Sequence, residues 1–118
     1  MTIIEVIKNK KQFLSLLLLA DEQENMIDRY LERGTMYVLN DNGVKAECVV
    51  TDECNGILEI KNIATVPEYQ GKGYAKALID FIVKEYADKY SVLQVGTGDS
   101  PLTVPFYEKC GFVRSHII

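Results

Sequence analysis

The chain has 118 residues, enough to bury one hydrophobic core but too few for two domains. Its 13 Lys and Arg against 17 Asp and Glu give a net charge of −4 without a basic block, which excludes a nucleic-acid surface that must neutralise phosphates. The longest apolar run, Leu16 to Ala20, is far shorter than the roughly 20 residues of a membrane span and has no cleavage pattern, so we expect a cytoplasmic protein with no membrane partner.

The three cysteines, Cys48, Cys54 and Cys110, are odd in number and lack metal-ligand spacing. We therefore expect small structural residues, with no disulfide framework and no zinc site. Cys110 stands one residue before a predicted helix stop with no base beside it, which argues against an acyl-carrying nucleophile. His116 is predicted to be an ordinary strand residue.

The first third of the chain predicts a strand and two helices. "TIIEVI" (2–7) is rich in β-branched residues, and "KNKKQFLSLLLLA" (8–20) has apolar residues at helical spacing. "DEQENMIDRYLERG" (21–34) has acids in its first turn and apolar residues on one side. Gly34 is predicted to end this second helix.

Three antiparallel strands are predicted next. "TMYVL" and "VKAECVVT" flank "NDNG", and Asn-Gly between two β-rich runs is a strong hairpin signal. "CNG" (54–56) contains a second Asn-Gly pair and predicts another turn before "ILEIKNIAT" (57–65). The alternation of apolar and polar residues along this third strand breaks near Asn62, which predicts a β-bulge there.

From Gly73 onward the apolar residues follow a clear helical period, and the following "YSVLQVG" (90–96) reads as a buried strand parallel to 57–65. "DSPLTVPFYEKCG" then predicts a helix with Ser100 as its N-cap and Gly111 as its stop, and "FVRSHII" begins a last strand. The order β-α-α-β-β-β-α-β-α-β predicts an α+β fold, a mixed α/β sheet with helices on its faces.

The turn "QGKG" between the third of these strands and the next helix indicates an anion site. It places the backbone N–H groups of residues 71–75 at the positive end of the helix dipole, and Gly71 and Gly73 leave room for a phosphate. Lys72 and Lys76 add charge nearby. A tight turn without a ligand is the alternative at this point, because the spacing matches neither the nucleotide P-loop nor the dinucleotide fingerprint.

"VPEYQGKGYAKAL" (66–78) resembles motif A of the GNAT acetyltransferase superfamily, with Gln70, Gly73 and Ala75 at its pattern positions, and "FYEKCGF" (106–112) resembles the end of motif B. The resemblance spans roughly residues 36–114. It implies that the anion is the diphosphate of coenzyme A, carried as acetyl-CoA, and that backbone at the bulged strand binds the pantetheine arm. The implied cofactor-binding residues are Ile63, Thr65, Val66, Gln70, Gly71, Lys72, Gly73, Tyr74, Ala75 and Ser100.

The resemblance also implies the catalytic residues. Tyr107 matches the motif B tyrosine that donates a proton to the departing thiolate, and Glu59 stands where some members of the family place a general base. Glu59 as an exposed strand residue, or one that binds the amine without taking its proton, remains the alternative. Ser100 and Thr103 depart from the Asn and Ala common in motif B. Tyr37 and Tyr69 line either the site or merely the sheet, and no metal is needed.

These observations predict an N-acetyltransferase that moves an acetyl group from acetyl-CoA to a primary amine of a small molecule. Acetylation of a protein N-terminus or lysine, and a non-catalytic acetyl-CoA sensor, are the alternatives. Residues 1–118 are expected to form one domain lacking the last strand of the family, because the chain ends on "SHII" within a predicted strand. A homodimer is compatible with the sequence, and the acceptor is not specified by it.

Overall fold

The computed structural model describes residues 1–95. The strands are β1 (Thr2–Val6), β2 (Thr35–Asn40), β3 (Val44–Asp52), β4 (Ile57–Thr65) and β5 (Val92–Val95), and the helices are α1 (Leu14–Ala20), α2 (Glu24–Asp28) and α3 (Tyr74–Tyr86). Short 3₁₀ turns precede α1 and follow β4, at Lys10–Phe13 and Pro67–Tyr69. The predicted order is confirmed through β5, while the predicted final helix and strand lie outside the described residues.

The five strands form one mixed sheet in the order β1-β2-β3-β4-β5. The first four strands pair antiparallel, with α1 and α2 between β1 and β2 and short turns between β2, β3 and β4, and β4 and β5 pair parallel. Parallel neighbours need a long connection, and α3 supplies it. The predicted parallel pair on either side of this helix is therefore confirmed.

Left-handed backbone closes both hairpins where the sequence predicts turns. Asn42 and Gly43 have φ values of 57° and 109° between β2 and β3, which is the backbone that tight hairpin turns require. Cys54, Asn55 and Gly56 all have positive φ between β3 and β4. These turns make the pairings of β2 with β3 and of β3 with β4 local in sequence.

The second predicted helix is shorter than its sequence pattern. The prediction of a helix over 21–34 that stops at Gly34 is wrong, because α2 ends at Asp28 and Gly34 does not adopt positive φ. Gly34 is needed for close packing instead, since a Cβ there would lie 2.9 Å from Tyr30 O and from Val49 Cγ1. The buried Lys10 ammonium donates to the carbonyls of Leu31 and Gly34 at 2.9 and 2.8 Å, and so satisfies backbone carbonyls in the segment that follows α2.

Each face of the sheet carries its own core. α3 packs on one face with Leu78, Ile79 and Ile82 against residues that include Leu58 and Ile60 of β4. On the other face, the α1 and α2 segments contribute Leu17, Ile27 and Leu31, which pack against Met36 and Val49 of the sheet. The strand β4 is thus buried between two helical layers.

A β-bulge interrupts β4 where the alternation slips. Val49 pairs with Asn62 whereas Val50 pairs with Ile60, so Lys61 is the extra residue on the bulged strand. The bulge lets Ile60 and Ile63, three residues apart, both pack toward α3. The predicted irregularity near Asn62 is confirmed.

Candidate active site

The connection from β4 to α3 has the backbone of an anion-binding turn. Gly71 and Gly73 adopt φ values of 83° and 87°, and Gly73 is the N-cap of α3. Side chains rarely adopt this region without strain, so glycine is required at both positions by the backbone itself.

Open space lies in front of the same two glycines. A Cβ built on Gly71 or Gly73 would meet no atom of the described chain within 4 Å. Within the part of the chain that the structure describes, the backbone N–H groups of residues 71–75 have no protein acceptor. Five unpaired donors at a helix N-terminus, together with the helix dipole, favour an anionic ligand. The cradle therefore fits the diphosphate that the motif implies.

A cavity of about 410 Å³ opens beside this cradle. The described residues that line it are Leu19, Ile63, Ala64, Thr65, Tyr69, Gln70, Gly71, Gly73, Tyr74, Ala75 and Lys76. Seven predicted cofactor-binding residues are brought together here. Two others, Val66 and Lys72, are not among the described lining residues, and Lys72 is exposed.

The end of β4 offers backbone to this cavity. On one side Ile63 and Thr65 pair with β3, at Cys48 and Ala46. On the other side the described part of β5 pairs only with residues 57–60. Within residues 1–95, the last third of β4 therefore has no neighbouring strand on that side. An extended chain such as a pantetheine arm can hydrogen-bond to such a strand edge.

Two polar contacts organise the cavity wall. Gln70 Nε2 donates to the Thr65 carbonyl at 3.4 Å, across the turn. The Tyr74 hydroxyl donates to Asp41 Oδ2 at 2.8 Å, and this hydrogen bond raises the pKa of Tyr74. The first hairpin is thereby linked to the beginning of α3.

Tyrosine packing distinguishes two positions that the sequence leaves open. Tyr69 lines the cavity and makes an edge contact with Tyr74, with ring centroids 6.5 Å apart. Tyr37 is buried under α3, where its hydroxyl lies 2.6 Å from that of Tyr86. Tyr69 is therefore a residue of the site and Tyr37 a residue of the core.

Glu59 lies on the face of the sheet opposite to α3, since its neighbours Leu58 and Ile60 pack toward that helix. The residue as a whole is 6% exposed. Its carboxylate forms an ion pair with Lys61 and accepts a hydrogen bond from Gln94 Nε2. The alternative of an exposed strand residue is therefore wrong. Glu59 is not among the described residues that line the cavity.

Glu47 is a buried acid that the sequence interpretation missed. It has 0% exposure, and neither carboxyl oxygen has a hydrogen-bond partner within the described structure. Burial raises the pKa of Glu47 well above its ordinary value. Its cross-strand partner is Ala64, which lines the cavity. One signal was present in the sequence, namely a lone acid in an apolar strand.

Asn62, next to the bulge, belongs to the same polar group. Its Nδ2 donates to the Leu17 carbonyl and to the Tyr30 hydroxyl, each at 3.0 Å, and so joins β4 to α1 and to the turn that follows α2. Its Oδ1 is buried without a described partner. The break in the apolar alternation near Asn62 predicts the bulge but not this role of the side chain.

Several predicted residues lie outside the described residues, namely Ser100, Thr103, Tyr107, Cys110 and His116. Cys48 is a buried free thiol and Cys54 an exposed one. Among residues 1–95 no group of three or more His, Cys, Asp or Glu could hold a metal ion. The described helices are all too short or too polar to cross a membrane.

The mixed sheet, the bulged β4 and the glycine cradle define an acyl-CoA-dependent acyltransferase. Residues 32–114 match the family model of the GNAT acetyltransferase domain, and the chain belongs to this family. The cosubstrate of this family is acetyl-CoA, which is bound in one of the relatives below.

Three relatives show the extent of the similarity. The chain is 35% identical over 104 residues to the uncharacterized N-acetyltransferase YvbK of Bacillus subtilis, covering 86% of this chain and 67% of the relative. It is 37% identical to the structure of an IAA acetyltransferase from Bacillus cereus, with a TM-score of 0.81 over 93% of this chain and 75% of that one. A GNAT family acetyltransferase from Elizabethkingia anophelis with acetyl-CoA bound is 31% identical, with a TM-score of 0.82 over 95% and 75% of the two chains.

Proposed function

We propose that this protein transfers the acetyl group of acetyl-CoA to a primary amine of a small molecule, by direct transfer while both substrates are bound. The observation that carries the proposal is the open glycine cradle at Gly71 and Gly73, placed at the mouth of the cavity beside the free edge of β4. A polyanionic, extended cosubstrate fits this combination of helix end and strand edge.

In this arrangement the residues of the chain bind and orient the cosubstrate. The N–H groups of residues 71–75 hold the diphosphate, and the backbone of Ile63 and Thr65 holds the pantetheine arm. A backbone N–H near Thr65 polarises the thioester carbonyl. The remaining predicted residues, Val66, Lys72 and Ser100, stay assigned to cofactor binding from the motif resemblance.

The chemistry then requires two proton transfers. The acceptor arrives as an ammonium and must lose a proton before its nitrogen forms the bond to the acetyl carbon. As the carbon–sulfur bond breaks, the thiolate takes up a proton, which we assign to the Tyr107 hydroxyl from the motif resemblance. Glu59 is assigned to the amine, either as its base or as the carboxylate that binds it.

A small acceptor is favoured by the shape of the site. Leu19 of α1 is 50% exposed and forms part of the cavity wall, so the first helix bounds the space available to an acceptor. The cytoplasmic location and the single domain over residues 1–118 remain predictions from the sequence.

Calorimetric titration with acetyl-CoA tests the cofactor site. We expect wild-type binding, weaker binding by Gly73→Ala, and loss of binding by Gly73→Gln, because the two variants share the backbone strain but only the long side chain fills the cradle. Thermal unfolding of each variant checks that it is folded. Equal binding by wild type and Gly73→Gln would contradict the placement of the diphosphate.

Release of free coenzyme A with a panel of acceptors tests the reaction. Polyamines and aminoglycosides represent small amines, and peptides represent protein N-termini and lysines. Turnover with small amines supports the proposal, whereas turnover with peptides alone would establish a protein acetyltransferase. Binding of acetyl-CoA without turnover on any acceptor would favour a sensor module.

Glu59→Gln separates the two roles of this carboxylate. If Glu59 is the base, kcat falls by about 10²-fold or more with little change in the KM for the amine. If it only binds the ammonium, KM rises and kcat is retained. Glu53→Gln is the matched control, because Glu53 also lies beside Lys61, at 3.9 Å, but outside the proposed reaction. Unchanged kinetics in Glu59→Gln would remove Glu59 from the site.

A further inference from the structure

Two lysines converge on one ring beside the glycine cradle. Lys45 Nζ lies 4.3 Å from the centroid of the Tyr69 ring, and Lys72 Nζ lies 5.8 Å from it. Lys45 comes from β3 and Lys72 from the turn before α3, so the fold brings together cations that are 27 positions apart in sequence. Both distances allow a cation–π contact, and the shared ring gathers positive charge at one point.

Neither of these charges is neutralised within the described chain. Lys45 Nζ donates to the Asn42 carbonyl at 3.0 Å, and in residues 1–95 no carboxylate oxygen lies within 4.0 Å of Lys45 or Lys72. Lys76, one turn into α3, contrasts with them because it forms an ion pair with Asp80 at 2.9 Å. The carboxylate in the turn before β3, Asp41, accepts its hydrogen bond from Tyr74. The pair is thus available to an anion outside the chain.

The position of the pair determines which anion it meets. Tyr69 lines the cavity, and Lys45 and Lys72, which are not among the described lining residues, lie beside the cavity over the Tyr69 ring. The diphosphate is assigned to the backbone cradle, and the thioester end of the cosubstrate runs inward along β4. Beyond the diphosphate, at the outer end, coenzyme A carries a phosphate monoester on its ribose, with about two negative charges at pH 7.

We propose that Lys45 and Lys72 bind the ribose 3′-phosphate of acetyl-CoA and thereby select it over 3′-dephospho-coenzyme A thioesters. The inference rests on the placement of the diphosphate in the proposed function. A protein with a net charge of −4 needs local positive charge to hold so anionic a cosubstrate, and this pair supplies it. Tyr69 serves as the platform that holds both ammonium groups at the mouth.

Calorimetric titration of the full chain with acetyl-CoA and with acetyl-3′-dephospho-CoA tests the proposal. We expect the wild type to bind acetyl-CoA about tenfold more tightly than the dephospho compound. Lys45→Gln and Lys72→Gln should each reduce this preference by about threefold to fivefold, and Lys45→Gln should leave the affinity for the dephospho compound unchanged. The difference should shrink as salt concentration rises, because the contact lies at the surface.

Lys89→Gln is the charge-matched control, since Lys89 is exposed beyond the other end of α3. A wild type with no preference between the two ligands overturns the inference. A Lys45→Gln variant that weakens both ligands equally also overturns it, because the lysine would then act on the diphosphate. Absence of binding to either ligand by the wild type would overturn the proposed function as well, so the two failures are distinguishable.

Discussion

Glu47 shows how a single side chain makes the stability of this protein depend on pH. Its carboxyl is fully buried and has no described partner, and burial raises its pKa. Val49 pairs with Asn62 and Glu47 pairs with Ala64, so Glu47 and Asn62 are diagonal neighbours on one face of the sheet. The ionised carboxyl would be an unpaired buried charge there, whereas the protonated carboxyl carries no charge.

Because the folded-state pKa of Glu47 lies above its unfolded value, the folded protein binds more protons than the unfolded chain between these two pKa values. The contribution of Glu47 to the free energy of unfolding therefore decreases as pH rises through this window, and stays low above the folded-state pKa. Ionisation of Glu47 therefore lowers the free energy of unfolding at neutral and alkaline pH. It has no effect at low pH, where Glu47 is protonated in both states.

We expect Glu47→Gln to raise the free energy of unfolding at pH 8 by about 1–3 kcal/mol, because the amide is never ionised. Urea unfolding between pH 4 and pH 8 measures the effect, and the gain over wild type should vanish toward pH 4. Glu22→Gln is the control, since Glu22 is exposed. A gain that does not depend on pH would contradict the assignment of the effect to ionisation.

At the scale of elements, the sequence predicts the features that depend on neighbouring residues in the chain. The Asn-Gly turn at 42–43, the bulged strand β4 and the helix α3 follow from turn chemistry and periodicity, and the structure has all three. α2 ends at Asp28 instead of near Gly34, and the carbonyls of the turns that follow accept hydrogen bonds from the buried Lys10 ammonium. A contact between residues more than twenty positions apart leaves no local pattern.

The candidate site likewise has one part that local sequence predicts and another part that it does not. The cradle at Gly71 and Gly73 is predictable because a helix start after two glycines is a local feature. Lys45 and Glu47 reach the neighbourhood of the cavity only through the pairing of β3 with β4, which places Ala46 opposite Thr65 and Glu47 opposite Ala64. Neither residue belongs to a motif, so the register of the sheet was required to find them.

At the scale of the whole molecule, the cosubstrate joins segments that otherwise meet across a cavity. Its proposed contacts come from the turn before α3, from the end of β4 and from Lys45 at the start of β3. Leu19 of α1 closes the cavity wall on a further side. A ligand that contacts these elements only in the folded protein must stabilise the whole fold, because it has no affinity for the unfolded chain.

We therefore expect acetyl-CoA at about 100 times its Kd to raise the free energy of unfolding by about 2.7 kcal/mol. For a chain of this length the gain corresponds to a Tm increase on the order of 10 °C. Differential scanning fluorimetry over a range of acetyl-CoA concentrations measures it, and the increase should follow the logarithm of concentration above Kd. Gly73→Gln should show no increase, because its side chain fills the cradle. The same increase in both proteins would mean that acetyl-CoA binds elsewhere on the molecule.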